Sequence, residues 1–120
     1  MQSYKELLVY KKSYEQAMRL YDIARGFPRE EQFGLASQLK RAATSIPLNI
    51  AEGYGKVEGG KELVRFLSMA RGSSAEMEVL LSFAKDFGYI PEERYCEAIK
   101  TQEEVGKMLT GLINRVRSTW

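Results

Sequence analysis

The chain has 120 residues, of which 44% are hydrophobic and 28% are charged, and its formal net charge is +2. This length and composition predict one globular domain over residues 1–120 and exclude a disordered chain. Histidine is absent, so histidine-dependent triads and Glu-x-x-His di-iron sites are excluded, while the single cysteine, Cys96, cannot form an internal disulfide; we expect no metal and no cofactor.

The first predicted helix covers about residues 4–25. Apolar and aromatic residues recur there at alternating spacings of three and four, which predicts one buried seam. The seam consists of Leu7, Tyr10, Tyr14, Ala17, Tyr21 and Ala24. Lys5, Lys12 and Arg19 fall seven residues apart, opposite this seam. The pattern therefore predicts a basic ridge on the outer face of the helix.

The second predicted helix, about residues 29–54, follows Gly26-Phe27-Pro28 and ends in the Gly53-Tyr54-Gly55 region. Its inner stripe is Leu35, Leu39, Ala42, Ile46 and Ile50. Pro47 stands within this run, where it removes a backbone hydrogen bond, meets the carbonyl of Ala43 and costs roughly 3 kcal/mol or more. We therefore expect a kink or a break at this point.

The third predicted helix, about residues 60–87, has an unusually wide apolar arc. Its first stripe is Leu63, Leu67, Ala70, Ser74, Met77, Leu81 and Ala84, and a second is Phe66, Met69, Leu80, Phe83 and Phe87. Together they span roughly 160 degrees, where a surface helix commonly needs about 100. Either this helix is the most central one, or the second stripe is a subunit interface.

The fourth predicted helix, about residues 91–117, carries Tyr95, Val105, Leu109, Leu112 and Val116, and Pro91 suits its first turn. No segment alternates with a period of two residues. We predict an all-α fold, an antiparallel up-down four-helix bundle. No apolar run approaches the roughly 20 residues that cross a bilayer, and no signal-like segment begins the chain, so we expect a cytoplasmic protein without a membrane partner.

Polar residues cluster in the second helix, where Asn49 and Glu52 flank Ile50 and small residues permit close backbone approach. We interpret these groups, together with partners on helix three, as a structural motif whose members satisfy one another. The motif comprises Ser45, Pro47, Asn49, Glu52, Gly53 and Glu76. A carboxylate pair of Glu52 and Glu76 is the catalytic alternative. Because no nucleophile or metal cage accompanies it, we predict that the protein is not an enzyme.

Positive charge collects in the first 29 residues, which hold six Lys/Arg and three Asp/Glu, a net charge of +3. Further basic pairs stand on helix two and after the turn into helix three. The predicted phosphate contacts are Lys5, Lys12, Arg19, Lys40, Arg41, Lys61 and Arg65. Repetition of these residues around a symmetric oligomer would strengthen the field. The alternative is an ordinary solvated surface.

Several short motifs follow one another along the chain. They are Phe27-Pro28, Phe33-Gly34-Leu35, Gln38-Leu39-Lys40-Arg41-Ala42, Ser45-Ile46-Pro47, Asn49-Ile50-Ala51-Glu52-Gly53 and Ala70-Arg71-Gly72-Ser73. In these motifs the chain resembles the four-helix-bundle proteins encoded in intervening sequences of 23S ribosomal RNA genes. The resemblance implies a ring-like homopentamer. It also implies kinship to the accessory proteins of diversity-generating retroelements, which bind nucleic acid and assist a reverse transcriptase.

The residues and the resemblance together predict a non-enzymatic accessory or scaffold protein that binds RNA or DNA. The alternative is a protein-interaction module of a homo-oligomer, in which the second stripe of helix three docks partner helices and the charges serve solubility.

Overall fold

A computed structural model describes residues 3–56 and 59–119, apart from the side chain of Lys56. Its four helices are α1 (Leu8–Arg25), α2 (Leu35–Lys56), α3 (Gly60–Asp86) and α4 (Glu92–Arg117), and short 3-10 turns span Tyr4–Glu6 and Arg29–Glu31. No strand occurs in these two ranges. The all-α prediction is confirmed.

The four helices pack in a closed cycle, in which α1 contacts α2 and α4, and α3 contacts the same two helices. Neighbouring helices are antiparallel. On α1, Lys12 lies opposite Glu104 and Asp22 lies opposite Arg94, so α4 runs against α1. The described chain measures 46 × 23 × 20 Å. This is the up-down arrangement of a four-helix bundle.

The core runs along the inside of this cycle. Its fully buried large side chains include Leu20, Leu39, Ile46, Leu67, Leu81 and Leu109. Each such side chain contributes about 1.5–3 kcal/mol when it leaves water. None of the helices in residues 3–56 and 59–119 is long and apolar enough to cross a bilayer.

The buried face of α1 differs from the predicted seam. Val9, Ser13, Gln16, Leu20 and Ile23 are buried on this helix, whereas Tyr14 and Tyr21 are 51% and 41% exposed. Tyr14 and Tyr21 were therefore wrong as core residues, whereas Ala17 and Ala24 are buried and Leu7 and Tyr10 pack against the core. Two polar members interrupt the true stripe, so the tyrosines formed the more regular apolar pattern in the sequence.

Helix α2 begins and ends later than predicted. The segment Arg29–Glu31 forms a 3-10 turn, and a Glu31 carboxylate oxygen accepts a hydrogen bond from the Leu35 backbone N–H at 3.2 Å. The helix then runs without interruption through Pro47 and Gly53 to Lys56. Of the kink or break predicted at Pro47, the break is therefore wrong, and Gly53 does not end the helix.

Gly53 instead lies where α2 approaches α3. A Cβ atom at this position would lie 2.9 Å from Leu63 Cδ1 and 3.1 Å from Phe66 Cβ. Unstrained carbon atoms stay about 3.5–4.0 Å apart. A larger residue here would require Leu63 to rotate and Phe66 to shift, so glycine favours the close backbone approach that the sequence predicted.

Helix α3 ends in a Schellman motif. Gly88 has a φ of +79°, the Gly88 N–H donates to the Lys85 carbonyl, and the Tyr89 N–H donates to the Ala84 carbonyl at 2.8 Å. On the outer side of α3, Met69, Phe83 and Phe87 are 47%, 49% and 56% exposed, and Phe66 is half-buried.

Leu80 is only 6% exposed. Its assignment to a subunit interface is wrong, because the side chain belongs to the core. The wide apolar arc of α3 thus divides into a buried part and an exposed row, which consists of Met69, Phe83 and Phe87.

Candidate nucleic-acid interface

The structure places Lys12 and Arg19 beside α4 rather than on the outer face of α1. The Lys12 ammonium forms an ion pair with the Glu104 carboxylate. The Arg19 guanidinium donates to Gln16 Oε1 at 3.3 Å and to Thr101 Oγ1 at 3.5 Å. The predicted ridge opposite the core is therefore wrong, because the core face of α1 is turned from the tyrosines toward Val9 and Leu20.

The Lys12–Glu104 pair neutralises charge at the α1–α4 seam. The hydrogen bond from Lys12, and then its positive charge, hold the pKa of Glu104 below its usual range. A phosphate would compete with this carboxylate for Lys12, although a partly exposed pair of this kind is weak.

A buried network of amides and a hydroxyl lies just inside these residues. Gln16 Nε2 donates to the Ala98 carbonyl at 2.8 Å and to Gln102 Oε1 at 3.4 Å, and Gln102 Nε2 donates to Ser74 Oγ at 2.8 Å. No buried side-chain nitrogen or oxygen in the described ranges lacks a partner. The network thus joins α1, α4 and α3 as a structural element. Its only signal in the sequence is the pair of isolated glutamines at inward-facing positions.

The polar motif of α2 is joined to α3 through hydroxyl groups. Ser45 Oγ and Ser73 Oγ are 2.9 Å apart, and Asn49 Nδ2 donates to the Ser45 carbonyl at 2.8 Å and to Ser45 Oγ at 3.0 Å. Glu52 and Glu76 are exposed. Ser45 and Asn49 therefore lie together, whereas both carboxylates lie at the surface.

No cluster of three or more cysteine and acidic side chains in the described part of the chain is placed to hold a metal ion. Glu52 and Glu76 accept no hydrogen bond there from another described side chain.

The remaining predicted basic residues lie on different faces. Lys5 and Arg41 are exposed, and so are Lys61 and Arg65 at the start of α3. Arg65 is paired with Glu62 at 2.5 Å, and its guanidinium lies 4.7 Å from the Phe66 ring centre. The seven residues thus do not form one continuous surface.

The face shared by α1 and α2 combines exposed rings with cations. A groove of about 480 Å³ is lined by Tyr14, Ala17, Met18, Tyr21, Arg25, Thr44, Pro47 and Leu48, and we call it the tyrosine groove. The Lys40 ammonium lies 5.4 Å from the centre of the Tyr21 ring. This is the side of α1 that the sequence assigned to the core.

A second depression of about 320 Å³ continues the same face toward the N-terminus. Lys5, Tyr10, Lys11, Tyr14 and Glu15 line it. Burial, and then the neighbouring phenols of Tyr4 and Tyr14, raise the pKa of Tyr10 above its usual value. The phenol therefore stays neutral at physiological pH and adds no negative charge to the face.

The groove between α3 and α4 has a different character. Its volume is about 520 Å³, and its charged lining residues are Arg71, Glu78, Glu103 and Lys107. Two positive and two negative side chains cancel there, so this groove offers no net attraction to an anion.

Comparisons with known proteins agree with this architecture. The family model described as 23S rRNA-intervening sequence protein matches residues 5–111. Among solved structures, the chain is similar to a protein of unknown function from the S23 ribosomal protein family of Bacteroides thetaiotaomicron. The TM-score is 0.82 at 27% identity, over 89% of this chain and 96% of that one. No curated protein matches the chain. The chain therefore belongs to the 23S rRNA-intervening sequence protein family.

Proposed function

We propose that the protein is a non-enzymatic accessory or scaffold protein that binds RNA or DNA through the face shared by α1 and α2. The observation that carries this proposal is the set of cations around the tyrosine groove and its neighbouring depression. These cations are Lys5, Lys11, Arg25 and Lys40, of which all but Lys40 are exposed, and the exposed Arg41 follows Lys40 on α2. The kinship to nucleic-acid-binding accessory proteins, which the resemblance implies, supports a nucleic-acid partner.

The charge balance of this face favours phosphate contacts. Glu15 lines the depression, Glu6 follows Lys5, and Asp22 is shared between Arg25 and Arg94 at 3.4 Å each. The cations therefore outnumber the carboxylates. Contacts of this kind position a nucleic acid without reading its sequence.

Assembly into a ring-like homopentamer and assistance to a reverse transcriptase, both implied by the resemblance, belong to the same proposal. Copies arranged around a ring would bring several such faces together and raise the local potential. Light scattering tests the assembly, and a monomer at micromolar concentration would exclude the ring.

A salt series with structured RNA and duplex DNA tests the binding surface. The logarithm of the binding constant falls linearly with the logarithm of the salt concentration, and each phosphate contact adds about 0.7 to 0.9 to the steepness of that fall. Lys40→Gln/Arg41→Gln should lower that slope by about 1.4 to 1.8. The matched variant Lys12→Gln/Arg19→Gln removes the same charge from the α1–α4 seam and should lower it less.

Equal slopes for the two variants would mean that the α1–α2 face has no special role. Absence of binding at low salt would overturn the proposed function.

A protein-interaction module is the second candidate, and the exposed row of α3 favours it. The Phe83 and Phe87 rings stack with centres 5.8 Å apart at the surface. Phe83→Glu should lower the oligomeric mass if this row joins subunits, because a carboxylate cannot be buried there without a partner. An unchanged mass would remove the row from the interface.

A further inference from the structure

We propose that the tyrosine groove holds unpaired bases, so that the preferred ligand is a single-stranded nucleic acid. This inference rests on the proposed function and assigns its ligand class. It follows from the exposure of the rings, the shape of the groove and the placement of the cations.

The two tyrosines offer separate stacking positions. Tyr14 and Tyr21 are 51% and 41% exposed, and their seven-residue separation places them about 10 Å apart along α1. Tyr10 supports Tyr14 from the N-terminal side, with ring centres 6.0 Å apart and an angle of 39° between the planes. Exposed aromatic rings are the usual platforms for bases in proteins that bind single strands.

The floor of the groove is apolar and fixed. Ala17 and Pro47 are buried beneath it, whereas Met18 and Leu48 are 64% and 62% exposed at its edge. Such a surface accepts the flat faces of bases but makes few hydrogen bonds to their edges. The groove should therefore favour stacking over recognition of a particular sequence.

Cations stand where the phosphates of a stacked strand could reach them. Lys40 lies beside the Tyr21 ring and Arg25 lines the same end of the groove, while Lys11 lies beyond Tyr14 at the other end. Arg41 precedes Leu48 by seven residues, which places both on one exposed row of α2. A duplex hides its base faces in the stack, so only unpaired nucleotides can use both the rings and these charges.

The other exposed aromatic pair lacks this combination. Lys85 is close to Phe83 and Phe87 in sequence, but its ammonium group contacts the Tyr95 ring, 4.7 Å from the ring centre. The juxtaposition of exposed rings with cations thus distinguishes the tyrosine groove.

Fluorescence anisotropy with three labelled probes tests the inference. The probes are a short oligodeoxyadenylate, an abasic oligomer of the same length and the corresponding duplex. The abasic strand keeps every phosphate but has no bases. The protein should bind the oligodeoxyadenylate about five-fold or more tightly than the abasic strand, since stacking contributes about 1–3 kcal/mol per base.

Tyr14→Ala/Tyr21→Ala should abolish this preference and leave binding to the abasic strand within about two-fold of the wild type. The separate variant Tyr14→Phe/Tyr21→Phe should retain the preference, because the rings remain and only the hydroxyls are lost. Phe33→Ala, which removes a side chain that is 98% exposed outside the groove, should not alter it. Circular dichroism tests whether each variant is folded. If the alanine variant does not fold, the affinities of the wild type for the base-bearing and abasic strands still decide the inference.

Equal affinity of the wild type for the base-bearing and abasic strands would overturn the inference but not the proposed function. A change of oligomeric mass in a folded alanine variant would also overturn it, since the groove would then be a contact between copies. Failure to bind any probe at low salt would overturn the proposed function itself.

Discussion

Gly53→Ala tests how closely α2 can approach α3. The new Cβ would lie 2.9 Å from Leu63 Cδ1 and 3.1 Å from Phe66 Cβ. The Leu63 methyl group is the end of a flexible side chain and can rotate away. Phe66 Cβ is fixed to the α3 backbone, so the two helices must separate by about 0.4 Å or more to reach an ordinary carbon–carbon distance.

The magnitude follows from two opposing terms. Alanine is favoured over glycine within a helix by about 0.8–1.0 kcal/mol, whereas overpacking of a close contact costs about 1–3 kcal/mol. Gly72→Ala is the matched control, because Gly72 is exposed on α3 and a Cβ there would meet nothing within 4 Å. Gly72→Ala should therefore raise the free energy of unfolding by about 0.8–1.0 kcal/mol.

The expected result is that Gly53→Ala is less stable than Gly72→Ala by about 1–3 kcal/mol. For a chain of this size that difference corresponds to about 4–12 °C in the midpoint of thermal unfolding. Urea and thermal unfolding followed by circular dichroism measure both values. If Gly53→Ala stabilises the protein as much as Gly72→Ala does, the contact between the helices does not limit this position and the reasoning is refuted.

Two further predictions concern the side chains between α1 and its partners. Gln102→Leu should lower the free energy of unfolding by about 1–3 kcal/mol, because the hydrogen-bonding groups of Gln16 and Ser74 lose a buried partner; urea unfolding measures it, and an unchanged midpoint would contradict it. Lys12→Gln should raise the pKa of Glu104 toward its usual value. Because the folded pKa is depressed, the stabilisation by the pair is present above the unfolded pKa and is lost as the pH falls through the folded one. Carbon-13 NMR titration of the carboxyl group measures this, and a pKa that stays low would rule out Lys12 as its cause.

The sequence predicted the number, type and order of the helices because three apolar stripes follow the helical period closely. On α3, Leu67, Met77 and Leu81 are fully buried as predicted. Periodicity could not orient α1, since Ser13 and Gln16 hold two inward positions while tyrosines repeat on the neighbouring side. Gln16 is accepted in the core because it donates hydrogen bonds to Ala98 and Gln102 of α4. A pattern within α1 contains no information about these partners.

The candidate site changed for the same reason. Once the core face of α1 is turned, Lys12 and Arg19 lie against α4. Tyr14 and Tyr21 become surface groups, and Tyr21 lies beside Lys40. The predictions for Lys40 and Arg41 depended on α2, whose inner stripe was identified correctly, and these two residues remain in the proposed interface. The start of α2 was missed because Arg29–Glu31 forms a 3-10 turn, which has little periodic signal of its own.

The α2–α3 and α1–α4 contacts of the bundle are held together by different means. Where α2 meets α3, the backbones come close at Gly53, whereas α1 and α4 are joined by long side chains that span the gap, such as Gln16 and Lys12. Long polar side chains can exchange their partners for water one at a time, but a close backbone contact separates only when the helices move apart. Native-state fluctuations should therefore begin at the seam between the first and last helices, and amide hydrogens of α1 should exchange with solvent before those of α2 and α3.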